Sequence, residues 1–194
     1  ADWTEARLAW IEANPQIRHV VLAYRHSAYL FGENGGTYPA LPDQMPTRVA
    51  DGATKPAKRS FFLHGFGQMI ARLRAAGRDV IVLAPVPELG RHVEKLILRS
   101  ESRDPIAGVP RPYYDARNRL IRGWLDGQGP AIRVLDPVKS LCDARTCLAG
   151  AGGAAFYFDS HHLSLAGARR VLAGQGGRTL LAGRGQADSR RRAD

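Results

Sequence analysis

Asp79-Val80-Ile81-Val82-Leu83-Ala84 is the stretch on which the fold turns. Val80 to Ala84 form a short apolar run rich in β-branched side chains, the pattern of a strand buried on both faces. Pro85-Val86-Pro87-Glu88 ends it. Immediately upstream, Ser60 reads as the cap of a helix over 60–76. Phe61, Phe62, Phe66, Met69, Ile70 and Leu73 supply its apolar stripe and Gly77 its C-terminal stop. Further out, Arg18-His19-Val20-Val21-Leu22-Ala23-Tyr24 reads as another buried strand. An amphipathic helix precedes it, carrying Trp3, Leu8, Trp10 and Ile11 and ending before Pro15.

Downstream, Pro112 suits the first turn of a helix that carries Tyr113, Tyr114, Leu120, Ile121, Trp124 and Leu125 before Gly127. A third strand is expected over 131–135, a fourth extended segment over 154–158, and a last helix from Ser164 to about 173. Residues 25–59 are punctuated by glycine and proline and read as a long loop, which in a compact domain is often functional. Residues 88–111 also read as irregular. Helix and strand alternate as in a parallel sheet covered on both faces, so the expected fold is α/β, a three-layer α/β/α sandwich with a mostly parallel sheet.

With 194 residues, 44% of them hydrophobic, the chain is long enough for one domain with a real core. The expected organisation is a domain over 1–177 and a disordered basic tail over 178–194. No run approaches the roughly 20 apolar residues of a membrane-spanning helix. The formal charge of +10 favours anionic partners such as phospholipid or charged glycan. Nucleic acid is not expected, because no nucleic-acid motif accompanies the charge and aromatics do not alternate with basic residues. Cys142 and Cys147 are the two cysteines. Their spacing suits neither a zinc site nor a thioredoxin-like pair; it suits a local disulfide, with two reduced thiols as the alternative. A disulfide would favour the periplasm or cell exterior.

The chemistry concentrates in Phe158-Asp159-Ser160-His161-His162-Leu163-Ser164, between a strand-like run and the last helix. Asp159 stands three residues before His162. A carboxylate so placed can hold a neutral imidazole in one tautomer and stabilise the imidazolium that forms when the ring accepts a proton, the support a serine nucleophile needs. Paired histidines also raise a metal reading, but neighbouring His residues on an extended segment usually diverge and no second ligand cluster exists. No metal and no cofactor are therefore expected. The structural alternative has Asp159 only capping a turn, while Ser164 caps the last helix in either case.

Together with Val20-Val21-Leu22-Ala23-Tyr24-Arg25, Val82-Leu83-Ala84-Pro85-Val86-Pro87-Glu88, Leu135-Asp136-Pro137 and the cysteine pair, this block resembles the C-terminal SGNH-hydrolase-like domain of membrane O-acyltransferases. These form the acyltransferase-3 group, which decorates O-antigen, peptidoglycan and other surface glycans. The resemblance implies Asp159 as the orienting acid and His162 as the general base. It also implies an acylated glycan or acyl donor as partner, and a membrane acyltransferase domain of the same or a partner polypeptide that delivers the acyl group. The setting it implies is the periplasmic or extracellular face of the bacterial inner membrane.

One part of the family pattern is missing. Its nucleophile lies in a Gly-Asp-Ser turn after the first strand, and this chain contains no Gly-Asp-Ser. The expectation is that the first strand and the nucleophilic Ser lie outside this chain, upstream of Trp3; a domain that has lost activity is the second explanation. Ser27 follows a strand but has no glycine elbow and reads as a structural turn serine. The family's oxyanion asparagine has no counterpart at Arg25-His26-Ser27, and Asn34 is too far along. Arg25 is the candidate for an oxyanion or substrate contact, with a surface ion pair as its alternative. The leading function is O-acyl transfer or ester hydrolysis on a cell-surface glycan. The alternative is an inactive module binding glycan or a membrane partner.

Overall fold

A computed structural model describes residues 2–32, 55–100 and 104–174. In chain order the elements are α1 (Asp2–Ala13), β1 (His19–Ala23), α2 (His26–Phe31), α3 (Lys55–Ala75), β2 (Asp79–Leu83), α4 (Val93–Arg99), β3 (Ile106–Pro110), α5 (Arg111–Asp126), β4 (Arg133–Leu135), α6 (Val138–Leu141), β5 (Thr146–Ala151), β6 (Ala154–Ala155) and α7 (Leu165–Ala173).

β2 is the middle strand of a parallel sheet, flanked by β1 in the register His19 to Asp79 and by β4 in the register Leu83 to Leu135. Its side chains alternate between two cores. Val80 and Val82 join Leu22, Phe66, Ile70, Leu73 and Ile121, whereas Ile81 and Leu83 join Leu89, Val93, Phe156 and Val171 on the other side. That two-sided burial is why the strand is apolar at successive positions. Val80, Ile81 and Val82 are no more than 2% exposed, and burying each stabilises the fold by roughly 1.5–3 kcal/mol. The α/β/α layering expected from the sequence is present.

Several local readings are corrected. α3 starts at Lys55, so Ser60 lies inside the helix and caps nothing. Pro56 is no barrier there, because proline is tolerated in a first helical turn. Gly77 does stop α3, with φ at 75°. The stretch over 25–59 contains α2, and Asn34 lies outside the described residues, as does the basic tail. The region over 88–111 holds α4 and β3 rather than irregular chain. β4 is shorter than expected, following a 3-10 turn over Gly129–Ala131. In α1 Leu8 is buried in the core and Ile11 packs against it, whereas Trp3 and Trp10 are 69% and 55% exposed.

A second sheet, antiparallel with order β3-β5-β6, packs on the α7 side. Of the expected fourth extended segment only Ala154–Ala155 is strand. The sequence did not foreshadow this sheet, because Ala107, Gly108, Ala149, Gly150 and Ala151 have little β propensity of their own. Small size is nevertheless what the pairing requires: a Cβ on Gly108 would stand 2.8 Å from the Cys147 carbonyl oxygen. A disulfide joins Cys142 to Cys147. Asp143 organises its loop by accepting hydrogen bonds from the Arg145 and Thr146 main-chain N–H groups.

Candidate active site

The segment 158–164 runs along the C-terminal edge of the parallel sheet, held from three directions. Asp159 folds it, its Oδ1 accepting from the main-chain N–H of His161 at 2.7 Å and of His162 at 2.8 Å. From the α4 side, the N–H of Leu89 donates to the Ser160 carbonyl and that of Val93 to the Asp159 carbonyl. From the α7 side, Ser164 caps the helix as expected, its Oγ accepting from the Gly167 N–H and donating to the Ala155 carbonyl. Gly167 is needed for that approach, since a Cβ there would meet the Phe156 carbonyl oxygen at 2.1 Å.

Asp159 Oδ2 accepts a 2.6 Å hydrogen bond from His162 Nδ1. The proton therefore sits on Nδ1, and the Nε2 lone pair is the position able to take another. Burial alone pushes the Asp159 carboxyl up, but the hydrogen bonds from the His161 N–H, the His162 ring and the His162 N–H outweigh it and hold it well below the usual carboxylate range. The His162 side chain is 59% exposed, and the Phe158 ring stacks against it at 5.5 Å. The expected divergence of the two histidines is corrected. Their ring centroids lie 4.1 Å apart, because both main-chain N–H groups bend toward one Asp159 oxygen and the segment is a tight turn. Asp159, His161 and His162 each offer one metal-ligating atom, all within 4.8 Å of one another.

A cavity of about 320 Å³ opens beside this turn, lined among others by Arg25, Ser27, Glu88, Asn118, His161 and His162. The chain leaving β1, the chain leaving β2 and the 159–162 turn thus meet at one sheet edge, where ligands bind in open α/β folds. Arg25 is held there by an ion pair. Its Nε donates to Glu88 Oε1 at 2.5 Å, Glu88 Oε2 accepts from Arg117 Nε at 2.6 Å, and Arg117 Nη2 donates to the Gly32 carbonyl. Glu88 is 6% and Arg117 1% exposed.

Glu88, Arg117 and Asn118 went unassigned in the sequence reading. A signal for two of them existed: Arg117 and Asn118 fall on the same helical stripe as the buried Tyr114, Ile121 and Leu125, where a polar residue must find a buried partner. Ser27 lies in the first turn of α2 and donates to Asn118 Oδ1. Among the described residues it makes no hydrogen bond to either imidazole, in keeping with a structural serine. His26 is fully buried beside it, donating from Nε2 to the Leu83 carbonyl. Burial lowers its pKa to about 4 against the opposing pull of that hydrogen bond, so the ring is neutral at pH 7.

Comparison with known proteins adds three findings. A family model described as "SGNH domain (fused to AT3 domains)" matches residues 1–173. No curated protein matches the chain. Among solved structures, the periplasmic domain of a lipopolysaccharide acetyltransferase from Salmonella ser. Paratyphi A is similar in fold, with a TM-score of 0.59 and 16% identity over 91% of this chain. The match covers 61% of that chain's length.

Proposed function

Since this chain belongs to the SGNH domains fused to AT3 domains, we propose that it supplies the acid–base half of a serine-dependent acyl-transfer site whose nucleophilic Ser lies outside it. The reaction is O-acyl transfer to a cell-surface glycan, or hydrolysis of an ester on one. The observation that carries this reading is the 2.6 Å bond from His162 Nδ1 to an ionised Asp159, on an exposed ring beside a cavity at the C-terminal sheet edge. In the first half-reaction His162 Nε2 takes the serine Oγ proton as that oxygen attacks the acyl carbonyl, Asp159 stabilises the imidazolium, and the proton passes to the donor's leaving group as its bond to the acyl carbon breaks. In the second, His162 takes the proton of a sugar hydroxyl or of water as it attacks the acyl-enzyme and returns it to the serine Oγ as the acyl–serine bond breaks. Arg25, fixed by Glu88, is the proposed oxyanion or substrate contact.

A further observation supports a nucleophile arriving on another segment. Among the described residues, the outer edge of β1 has no strand partner, and Val21 on it is 52% exposed. A strand added there in parallel would end at the same edge as His162. The disulfide suits an oxidising compartment, hence the periplasmic or outer face of the membrane. No helix among the described residues is long and apolar enough to cross a membrane. The fusion of this family to AT3 domains supports delivery of the acyl group by a membrane acyltransferase domain of the same or a partner polypeptide.

Hydrolysis of p-nitrophenyl acetate tests the assignment. The 194-residue chain alone is expected to match buffer. The same chain joined to the segment carrying Gly-Asp-Ser is expected to turn over, and His162→Ala to lower that rate by about 10²- to 10⁴-fold. Turnover by the chain alone that survives His162→Ala overturns the assignment. Glycan binding without turnover in the completed protein would favour the inactive binding module.

A further inference from the structure

We propose that Asp159, His161 and His162 form a binding site for one divalent transition-metal ion with zinc-like ligand preference. The metal reading is weak in the sequence because adjacent histidines on an extended chain point apart. The folded turn removes that objection. One donor atom from each of the three residues lies within 4.8 Å of the other two, and the rings stand 4.1 Å apart between centroids. Zinc–ligand bonds of about 2.0–2.2 Å place tetrahedral donor atoms roughly 3.3 Å from one another. Asp159 Oδ2 and His162 Nδ1 stand 2.6 Å apart with the ring proton between them, so binding shifts that ring to its Nε2–H tautomer and parts the pair by about 0.7 Å, a small adjustment for a solvent-exposed ring.

The carboxylate is preset for the role. Asp159 Oδ1 is pinned by two main-chain N–H groups and stands 3.9 Å from His161 Nδ1, while Oδ2 is directed at the His162 ring. One carboxylate and two neutral imidazoles carry a net charge of −1, and the nearby Arg25 shares the Glu88 carboxylate with Arg117. Two nitrogens and one oxygen suit zinc, copper or nickel and disfavour magnesium or calcium, which seek oxygen ligands. Three protein ligands leave a fourth position for water. The cysteines do not compete, being joined as a disulfide. Metal occupancy would take the Asp159–His162 pair out of use as a base, a consequence that rests on the acyl-transfer reading; the binding itself does not.

Calorimetric titration of the untagged full chain with zinc chloride, in a non-chelating buffer at neutral pH, tests the site, with cobalt(II) absorption as a second readout. One saturable site is expected. His161→Ala and Asp159→Asn should each weaken it by about tenfold or more, while His64→Ala, at an exposed lone histidine of α3, should bind like the parent. Near-UV circular dichroism verifies that each variant is folded. Absence of saturable binding by the parent, or unchanged affinity in folded His161→Ala, overturns the proposal. The titration involves neither nucleophile nor acyl donor, so its failure leaves the acyl-transfer reading standing, and failure of the esterase test leaves the metal site standing.

Discussion

The 159–162 turn and the Arg25–Glu88–Arg117 cluster border the same cavity and are built in opposite ways. The turn is local: Asp159 bonds to groups two and three residues away, and its imidazole faces solvent. The cluster is assembled from afar, Glu88 pairing with residues 63 and 29 positions distant in the chain, and its Glu88–Arg117 pair is buried. An exposed pair is screened by water and contributes little to stability, which leaves its proton free for chemistry. A buried pair has given up its hydration, so losing one partner is expensive. The difference separates what holds the site in place from what reacts in it.

The largest expected effect tests the buried half. Arg117→Met keeps much of the side-chain volume but leaves Glu88 buried with Arg25 as its remaining cation. Urea unfolding should show a loss of about 3–5 kcal/mol. A loss under about 1 kcal/mol would mean that the cluster is not stabilised as a buried ion pair, and the contrast with the turn would break.

Next in size is the acid response of His26, which lines the cavity beneath both regions. Its pKa is about 4 in the folded state against an ordinary 6.5. As pH falls from 6.5 toward 4 the unfolded chain takes up a proton that the folded chain refuses, so stability falls through that window by on the order of 3 kcal/mol. His26→Phe should flatten this slope in urea titrations between pH 7 and pH 4. An unchanged slope would remove His26 as its source.

The smallest effect on stability is expected at the turn itself. Asp159→Asn keeps an acceptor for the two main-chain N–H groups and loses the charge, so the cost at pH 7 should stay within about 1 kcal/mol. Because the folded carboxyl is held below its ordinary value, what the charge contributes is present above pH 4 and lost as pH falls through the depressed folded value. Parent and variant should therefore converge in strong acid. A loss at pH 7 as large as that of Arg117→Met would erase the distinction between the two regions.

Legibility followed the same division. Val80 to Leu83 announced a two-sided strand, Gly77 and Ser164 announced helix ends, and the Asp-x-x-His spacing announced the pair, because in each case the interacting groups are close in the chain. Helical periodicity held the information that Arg117 and Asn118 are buried, but not which partner would meet them. The antiparallel sheet of β3, β5 and β6 was invisible, since its alanines and glycines express no strand preference until another backbone lies alongside.

The amino-acid sequence by itself determined the parallel sheet, its helical covering and the identity of the carboxylate–imidazole pair, all of which rest on side-chain periodicity or on spacing of three residues. Only the tertiary structure decided that Glu88 clamps Arg25 from 63 positions away, and that Gly167 lets α7 close on the Phe156 main chain just before the site. These are contacts between surfaces that meet only after the chain has folded, and their geometry depends on burial and close approach that no local pattern encodes.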